Sequence, residues 1–282
     1  MKHYLAIDIG GTKMAVGVVD DDGNILASLT TPTPVTVDAD EIWNALRSLI
    51  DQFDTSSILA VGVGCGGPMA TAGVTVSPLN IPAWREFPLR AKLADYCGAP
   101  AFVDNDAKAL ALGEGWVGAA QGAANYIAMV VSTGIGGGIV LDGRLLDGAT
   151  GNAGHIGHIV VEPGGRRCKC GALGCVEAEA SGTAIAAITS GHPKDAPPAI
   201  VARTGVMVGR AIAAAANLLD LHLAVIAGSV ALGYGDPFFD AAQRTIDELC
   251  TIEFSRGTVV RPAGLQSNGP LIGAAQVARH QT

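Results

Sequence analysis

The chain has 282 residues, enough for two domains, and its 49% hydrophobic and 16% charged residues predict packed cores rather than disorder. A net charge of -8, from 18 Lys+Arg against 26 Asp+Glu, repels a polyanion, and with only 5% aromatics there is no stacking surface, so nucleic acid is not an expected partner. No apolar stretch is read as approaching the roughly 20 residues of a membrane helix, and Asp8 interrupts what would be a signal peptide's apolar core. The expectation is a cytoplasmic protein with reduced thiols and no membrane partner.

In chain order, Tyr4 to Ile9 reads as a strand, Gly10-Gly11-Thr12-Lys13 as a turn and Met14 to Val19 as a second strand. Asp20-Asp21-Asp22-Gly23-Asn24 is a hairpin signal, followed by a third strand from Ile25 to Thr30. A helix is expected from a cap at Asp38 to Phe53, strands at Ile58 to Val63 and Ala101 to Val103, and a small-residue helix from Asp104 toward Gly118. The second half repeats the grammar: strand Tyr126 to Val131, turn Ser132-Thr133-Gly134, strand Ile135 to Leu141 and turn Asp142-Gly143. Helices are expected over Ala178 to Thr189, Ile200 to Leu219 and Pro270 to His280, with a strand at Leu223 to Ala227. A strand–hairpin–strand unit occurring twice reads as duplication at domain scale.

Four patterns carry chemistry. Asp8-Ile9-Gly10-Gly11-Thr12-Lys13 joins two strands through glycines whose bare backbone N–H groups can approach phosphate oxygens, and Asp8 is placed to hold Mg²⁺ through water. Ser132 to Gly138, with Thr133, Gly134, Gly136 and Gly137, is a second cradle of the same type. An ordinary Gly-Gly hairpin explains either alone but not both so well, and no Walker loop occurs. At Asp104-Asn105-Asp106 three polar residues stand where one helix cap suffices, and an ionised Asp there can accept a hydroxyl proton. His158, Cys168, Cys170 and Cys175 form a Cys₃His set suited to structural Zn²⁺ with no open position. Cys65, Cys97 and Cys250 are expected in the core, and His192, His222 and His280 at the surface. Gly62-Val63-Gly64-Cys65-Gly66-Gly67 fits a dinucleotide fingerprint, but Pro68 follows where that site needs a helix.

Asp8 to Lys13, Asn105-Asp106, Ser132 to Gly138 and the His158/Cys loop, in this order, resemble the ROK family of repressors, open-reading-frame proteins and sugar kinases, over essentially the whole chain. The resemblance implies an α/β, two-domain, actin-like ATPase (ribonuclease H-like) fold with a cleft, the first domain being 1–118 completed by 269–282 and the second 119–268. It implies transfer of a phosphoryl group from ATP, with Mg²⁺, to a hexose hydroxyl, most simply O6, and a homodimer. Asp106 matches the base. Asn105, Gly66, Asn80, Glu177 and zinc-bound His158 match sugar-side residues, and Gly228 of Ala227-Gly228-Ser229-Val230 matches the adenosine-side loop. Repressors of the family carry a helix-turn-helix module before the first glycine motif. Only seven residues precede Asp8, so the kinase reading is preferred.

One departure bears on specificity. Most members carry Glu-x-Gly-His where this chain has His155-Ile156-Gly157-His158, and this phrase, with Gly174-Cys175-Val176-Glu177, looks like bacterial N-acetylmannosamine kinases. A carboxylate only accepts hydrogen bonds, whereas neutral imidazole can also donate to an acyl carbonyl. N-acetylmannosamine is therefore the leading substrate, with glucose and N-acetylglucosamine as alternatives.

Overall fold

The computed structural model describes residues 2–282 and divides into two compact units, Met1–Gln121 with Asp147–Ala153 and Leu265–Thr282, and Gly122–Leu146 with Gly154–Gly264. Beside the expected divisions at 118/119 and 268/269, the chain changes unit at 121/122 and 264/265, and a short excursion, Asp147–Ala153, belongs to the first unit.

Unit 1 is built on strands β1 (His3–Ile9), β2 (Lys13–Asp20), β3 (Ile25–Pro32), β4 (Ala60–Cys65) and β5 (Ala101–Asn105). Their order is β3-β2-β1-β4-β5, with β1–β2 and β2–β3 antiparallel and β1–β4 and β4–β5 parallel. Alternation along β1 sends Leu5, Ile7 and Ile9 to one face and Tyr4 and Ala6 to the other. The bulky face meets α1 (Ala39–Ile50), capped by Asp38, and α2 (Leu89–Cys97), through Ile42, Trp43, Leu46, Leu89 and Leu93. The small-residue face receives α9 (Gly269–Arg279) through Leu271, Ala274, Ala275 and Ala278. Small residues let the backbones approach closely here. A Cβ on Gly62 would overlap the Ala274 carbonyl oxygen, and one on Gly113 of α3 (Asp106–Val117) would meet Gly273 Cα at 3.0 Å.

Unit 2 repeats the topology. Strands β6 (Tyr126–Val131), β7 (Ile135–Leu141), β8 (Arg144–Leu145), β9 (Leu223–Ala227) and β10 (Val259–Pro262) take the order β10-β9-β6-β7-β8, antiparallel across β6–β7–β8 and parallel across β6–β9–β10. Its helices are α4 (Val176–Ala180), α5 (Gly182–Thr189), α6 (Pro198–Leu219), α7 (Ser229–Tyr234) and α8 (Asp236–Leu249). The single helix expected over Ala178 to Thr189 is two, because Ser181 adopts extended backbone and its hydroxyl caps α5 by accepting the Ala184 N–H at 3.1 Å. Helices α2, α7 and α8 and strands β8 and β10 were not among the expected elements.

With 22 residues and a mean hydropathy of 1.4, α6 is long and apolar enough to cross a membrane by length and composition, which corrects the sequence expectation. It is a core helix here. Gly205 and Gly209 lie against α8, where a Cβ would meet Ala241 Cβ at 2.9 Å and Thr245 Cβ at 2.8 Å, and Arg203 and Arg210 make ion pairs.

The contact between β4 and α9 gives a direct test. Gly62→Ala should cost about 1–3 kcal/mol, the usual range for over-packing, read as a lowered urea midpoint at unchanged slope. An unchanged midpoint would show that α9 does not sit this close to β4.

Candidate functional site

In unit 1 the carboxyl ends of three parallel strands are in register: Asp8 pairs with Gly64, and Gly64 with Asp104. Ligands bind at such strand ends in open α/β sheets. Asp106 and Asp8 border Gly64, where a Cβ would lie 3.6 Å from Asp106 Cα and 3.8 Å from Asp8 Oδ1. Burial, with the negative Asp106 second, pushes the Asp8 carboxyl up from 3.8 to about 7, and Lys13 pulls the other way.

Asp106 is the exposed first residue of α3. Its Oδ1 accepts the Ala107 N–H at 2.8 Å, and the Asn105 side chain accepts the same N–H at 3.0 Å. One donor is served twice, so capping accounts for Asn105 or Asp106 but does not require both. Asp104 accepts the Asn105 N–H at 2.7 Å and pairs with the buried Lys108 at 3.0 Å. Lys108 reaches on to Asp147 at 2.6 Å and the Gly151 carbonyl at 3.3 Å, so the excursion 147–153 is fastened to the helix that Asp106 begins. Burial raises the Asp104 carboxyl in spite of Lys108. Neither Lys108 nor Asp147 was singled out from sequence, although Asp104 and Lys108 stand four residues apart across the β5–α3 junction.

The Gly10–Lys13 turn is closed by the Gly10 N–H on the Lys13 carbonyl at 3.0 Å and carried by Thr33, whose hydroxyl donates to the Gly10 carbonyl at 2.7 Å. Gly11 must lack a side chain, because a Cβ would lie 2.6 Å from Asn80 Cβ. The structure thus brings Gly11 and Asn80 together, and leaves Asn80 and Lys13 exposed. Gly66 follows β4 and leads into a cis Gly67–Pro68 bond and no helix, so the fingerprint-like glycines lack the strand–turn–helix context of a dinucleotide site.

In unit 2 the Ser132–Gly138 hairpin turns through a Ser132 N–H bond to the Gly134 carbonyl at 3.0 Å. It is seated on the start of α5: the Gly182 N–H donates to the Ser132 carbonyl at 2.7 Å, and Thr183 donates its hydroxyl to the Thr133 carbonyl at 2.9 Å. Glu177 accepts the Ile135 N–H at 2.5 Å, and a Cβ on Gly134 would stand 3.2 Å from its other oxygen. Glu177 therefore touches the glycine hairpin directly. Burial raises its carboxyl, against the Ile135 N–H and Lys169. Gly136 and Gly137 pair with Val130 and Met129 in the β6–β7 ladder. Gly228, after β9, sits at φ 102° with no room for a side chain beside the Val131 carbonyl, and the neighbouring Ser229 hydroxyl lies 3.0 Å from that of Ser132.

The side-chain ligand atoms of His158, Cys168, Cys170 and Cys175 all lie within 4.8 Å of one another. Cys168 Sγ is 3.7 Å from His158 Nδ1, and Cys170 Sγ is 3.7 Å from Cys175 Sγ. A tetrahedron with Zn–S bonds of about 2.3 Å has edges of about 3.8 Å, so the spacing and donor chemistry fit Zn²⁺. The loop folds through a Gly171 N–H bond to the Cys168 carbonyl at 2.9 Å and short bridges between Val160 and Cys175 and between Arg167 and Leu173. Because His158 turns Nδ1 to the cysteines, its Nε2 points elsewhere. The rings of His158 and exposed His155 are nearly parallel, with centroids 6.4 Å apart. Cys65 and Cys250 are buried and Cys97 half-buried, while His192, His222 and His280 are exposed.

A family model described as the ROK family matches residues 4–281. The chain is 37% identical over 246 residues to an N-acetylmannosamine kinase of Citrobacter koseri, covering 82% of this chain and 84% of that protein. It is 40% identical over 184 residues to a glucokinase of Thermotoga maritima, a stretch that spans 64% of this chain and 58% of that one. Among solved structures, a ROK family glucokinase from Streptomyces griseus in complex with glucose and AMPPNP superposes with a TM-score of 0.83 at 32% identity, over 99% of each chain. Two α/β units of the same strand order, each with a glycine hairpin at its first strand, and a match along almost the whole sequence leave one assignment: the chain belongs to the ROK family.

Proposed function

We propose that this ROK-family sugar kinase transfers the γ-phosphoryl group of ATP to the O6 hydroxyl of a hexose, with N-acetylmannosamine as the leading substrate and Asp106 as the base. The observation that carries the reading is the exposed Asp106 at the β5–α3 junction, flanking Gly64 together with Asp8. Phosphoryl transfer through a loose transition state needs little covalent help from protein, so positioning and charge neutralisation dominate. Asp106 accepts the hydroxyl proton as the oxygen attacks. Asn105, Gly66, Asn80, His155, His158 and Glu177 bind the sugar. Gly10, Gly11, Thr12, Lys13, Thr133, Gly134, Gly136 and Gly137 are proposed to offer N–H and side-chain donors to phosphates, and Gly228 to contact the adenosine. Asp8 would hold Mg²⁺ through water, and the ion when bound neutralises phosphate charge. His158 and the three cysteines would hold Zn²⁺, whose work is to brace the loop of His155 and His158. The enzyme is proposed to be a cytoplasmic homodimer.

Glucose is kept as a second reading because both the Thermotoga maritima relative and the Streptomyces griseus structure are glucokinases. ADP release measured on a panel of N-acetylmannosamine, N-acetylglucosamine, mannose and glucose, with ATP or polyphosphate as donor, decides the substrate. His155→Glu should shift the ranking of specificity constants toward glucose. If glucose already wins in the wild type, or the replacement leaves the ranking untouched, the N-acetylmannosamine assignment fails.

Asp106→Asn should retain sugar binding by calorimetry and lower kcat by roughly 10²-fold or more, the usual cost of losing a general base. Near-normal turnover would remove Asp106 from that role.

The raised Asp8 carboxyl also predicts a pH dependence of stability. With a value of about 7 folded against 3.8 in the free residue, the folded state keeps a proton between pH ~4 and ~7 that the unfolded chain has released, so this group destabilises the fold progressively as pH rises through that window. Asp8→Asn should therefore gain stability over wild type at pH 8 relative to pH 4, by at most about 4 kcal/mol, in urea titrations with EDTA present. An equal offset at the two pH values would refute the shift.

A further inference from the structure

The metal loop is gripped by charged residues that the sugar-kinase reading does not use. Glu179, in α4 four residues after Cys175, has no solvent exposure. Its carboxylate accepts the Arg166 backbone N–H at 2.5 Å and the Arg166 guanidinium at 2.8 Å, and it pairs with the Arg203 guanidinium. Arg203 also donates to the Glu179 backbone carbonyl at 2.8 Å, holding both the side chain and the main chain of α4. Burial pushes the Glu179 carboxyl up, but the Arg166 N–H and the two guanidiniums outweigh it and hold it below the usual glutamate range. Seven residues on, on the same face of α6, Arg210 pairs with Glu162 at 2.6 Å and donates to the Val161 carbonyl at 2.9 Å.

These contacts bracket the ligands. Glu162 follows His158 by four residues, Arg166 precedes Cys168 by two, and Glu179 follows Cys175 by four. Two loop glycines are fitted to the same arrangement, because a Cβ on Gly165 would overlap Glu179 Oε1 and one on Gly174 would overlap the Glu162 carbonyl. With both flanks of the Cys168–Cys175 segment bolted to α6, the ligand atoms are held near one another by protein–protein bonds and not by the ion alone.

We propose that Glu179, Arg166 and Arg203, with Glu162 and Arg210 behind them, are positioning residues for the metal: an ionic clamp centred on the buried Glu179 carboxylate that pre-forms the four-ligand site and slows release of the ion. The proposal rests on the Zn²⁺ reading above. One Glu179 oxygen takes the Arg166 backbone N–H and the other both guanidiniums, so several charge-assisted bonds fix the carboxylate from two elements. A single-partner deletion leaves Glu179 buried with less compensation, which is the costly way to break such a pair.

The test begins with metal analysis of the purified full chain, where about one Zn²⁺ per chain is expected; a metal-free wild type would sink the zinc reading, independently of the clamp. Release of zinc to a colorimetric chelator is then timed for wild type, Arg203→Met and Glu179→Gln. Roughly tenfold faster release in the variants is expected, the lower end of what outer residues contribute at metal sites. Wild-type release rates in folded variants would overturn the proposal. Should the variants not fold, hydrogen exchange on metal-stripped wild type decides: protection retained at Arg166 and through α4 while the Cys168–Ala172 turn exchanges freely supports the clamp, and loss of both together overturns it.

Discussion

Everything assigned to unit 1 depends on one alignment, the register that sets Asp8, Gly64 and Asp104 side by side at the carboxyl ends of three parallel strands. A slip of one residue on β4 would turn the pleat over and put a side chain where Gly64 leaves space. The register is held by packing. Alternate residues of β1 go to two unlike helical layers, bulky on the α1–α2 face and small on the α9 face, and Gly62 admits the α9 backbone so closely that a Cβ would overlap the Ala274 carbonyl. The glycine that fixes the strand and the glycine that opens the site are two residues apart on one strand, so they face the same side of the sheet.

Helix α3 extends the same economy. It begins with Asp106, buries Lys108 against Asp104 and Asp147, and farther along buries Glu114, which accepts the Ala119 N–H at 2.7 Å and the Leu265 N–H at 3.1 Å. Those partners lie where the chain is about to leave unit 1, within the excursion at 147–153, and where it comes back. Buried charges are expensive to leave unpaired, so the tie between each crossing segment and the helix of the proposed base is enforced by desolvation as much as by attraction.

What the sequence made legible was local chemistry with a fixed spacing. The two glycine hairpins, the Cys₃His set, the cap at Asp38 and the doubled strand–hairpin–strand unit each depend on neighbours within a few residues, and each stands in the structure where the pattern put it. Elements whose identity is set by distant partners were harder to see. Strand β8 has two residues and exists only by pairing with β7, and α6, though expected as a helix, gave no sign in sequence that Arg203 and Arg210 pair with Glu179 and Glu162. The seven-residue spacing of those arginines, two helical turns, was the one available signal, and it says that they share a face without saying what the face meets.

The duplicated topology places unlike residues at equivalent strand ends. Strands β1 and β6 occupy the same place in their sheets and each runs into a glycine hairpin, yet β1 ends with Asp8 where β6 leads into Ser132 and Thr133. Strands β4 and β9 likewise correspond, and β4 runs into Gly66-Gly67 where β9 runs into Gly228 and Ser229. Unit 1 thus gathers carboxylates, with Asp8 and Asp106 flanking Gly64, and the equivalent strand ends of unit 2 carry hydroxyls and glycines. Accepting a proton and holding a cation need negative charge, while a polyphosphate is repelled by it and needs neutral donors. On the proposed reading unit 1 carries both kinds of group, the carboxylates of Asp8 and Asp106 and the neutral donors of its Gly10–Thr12 turn, whereas the strand ends of unit 2 carry neutral donors.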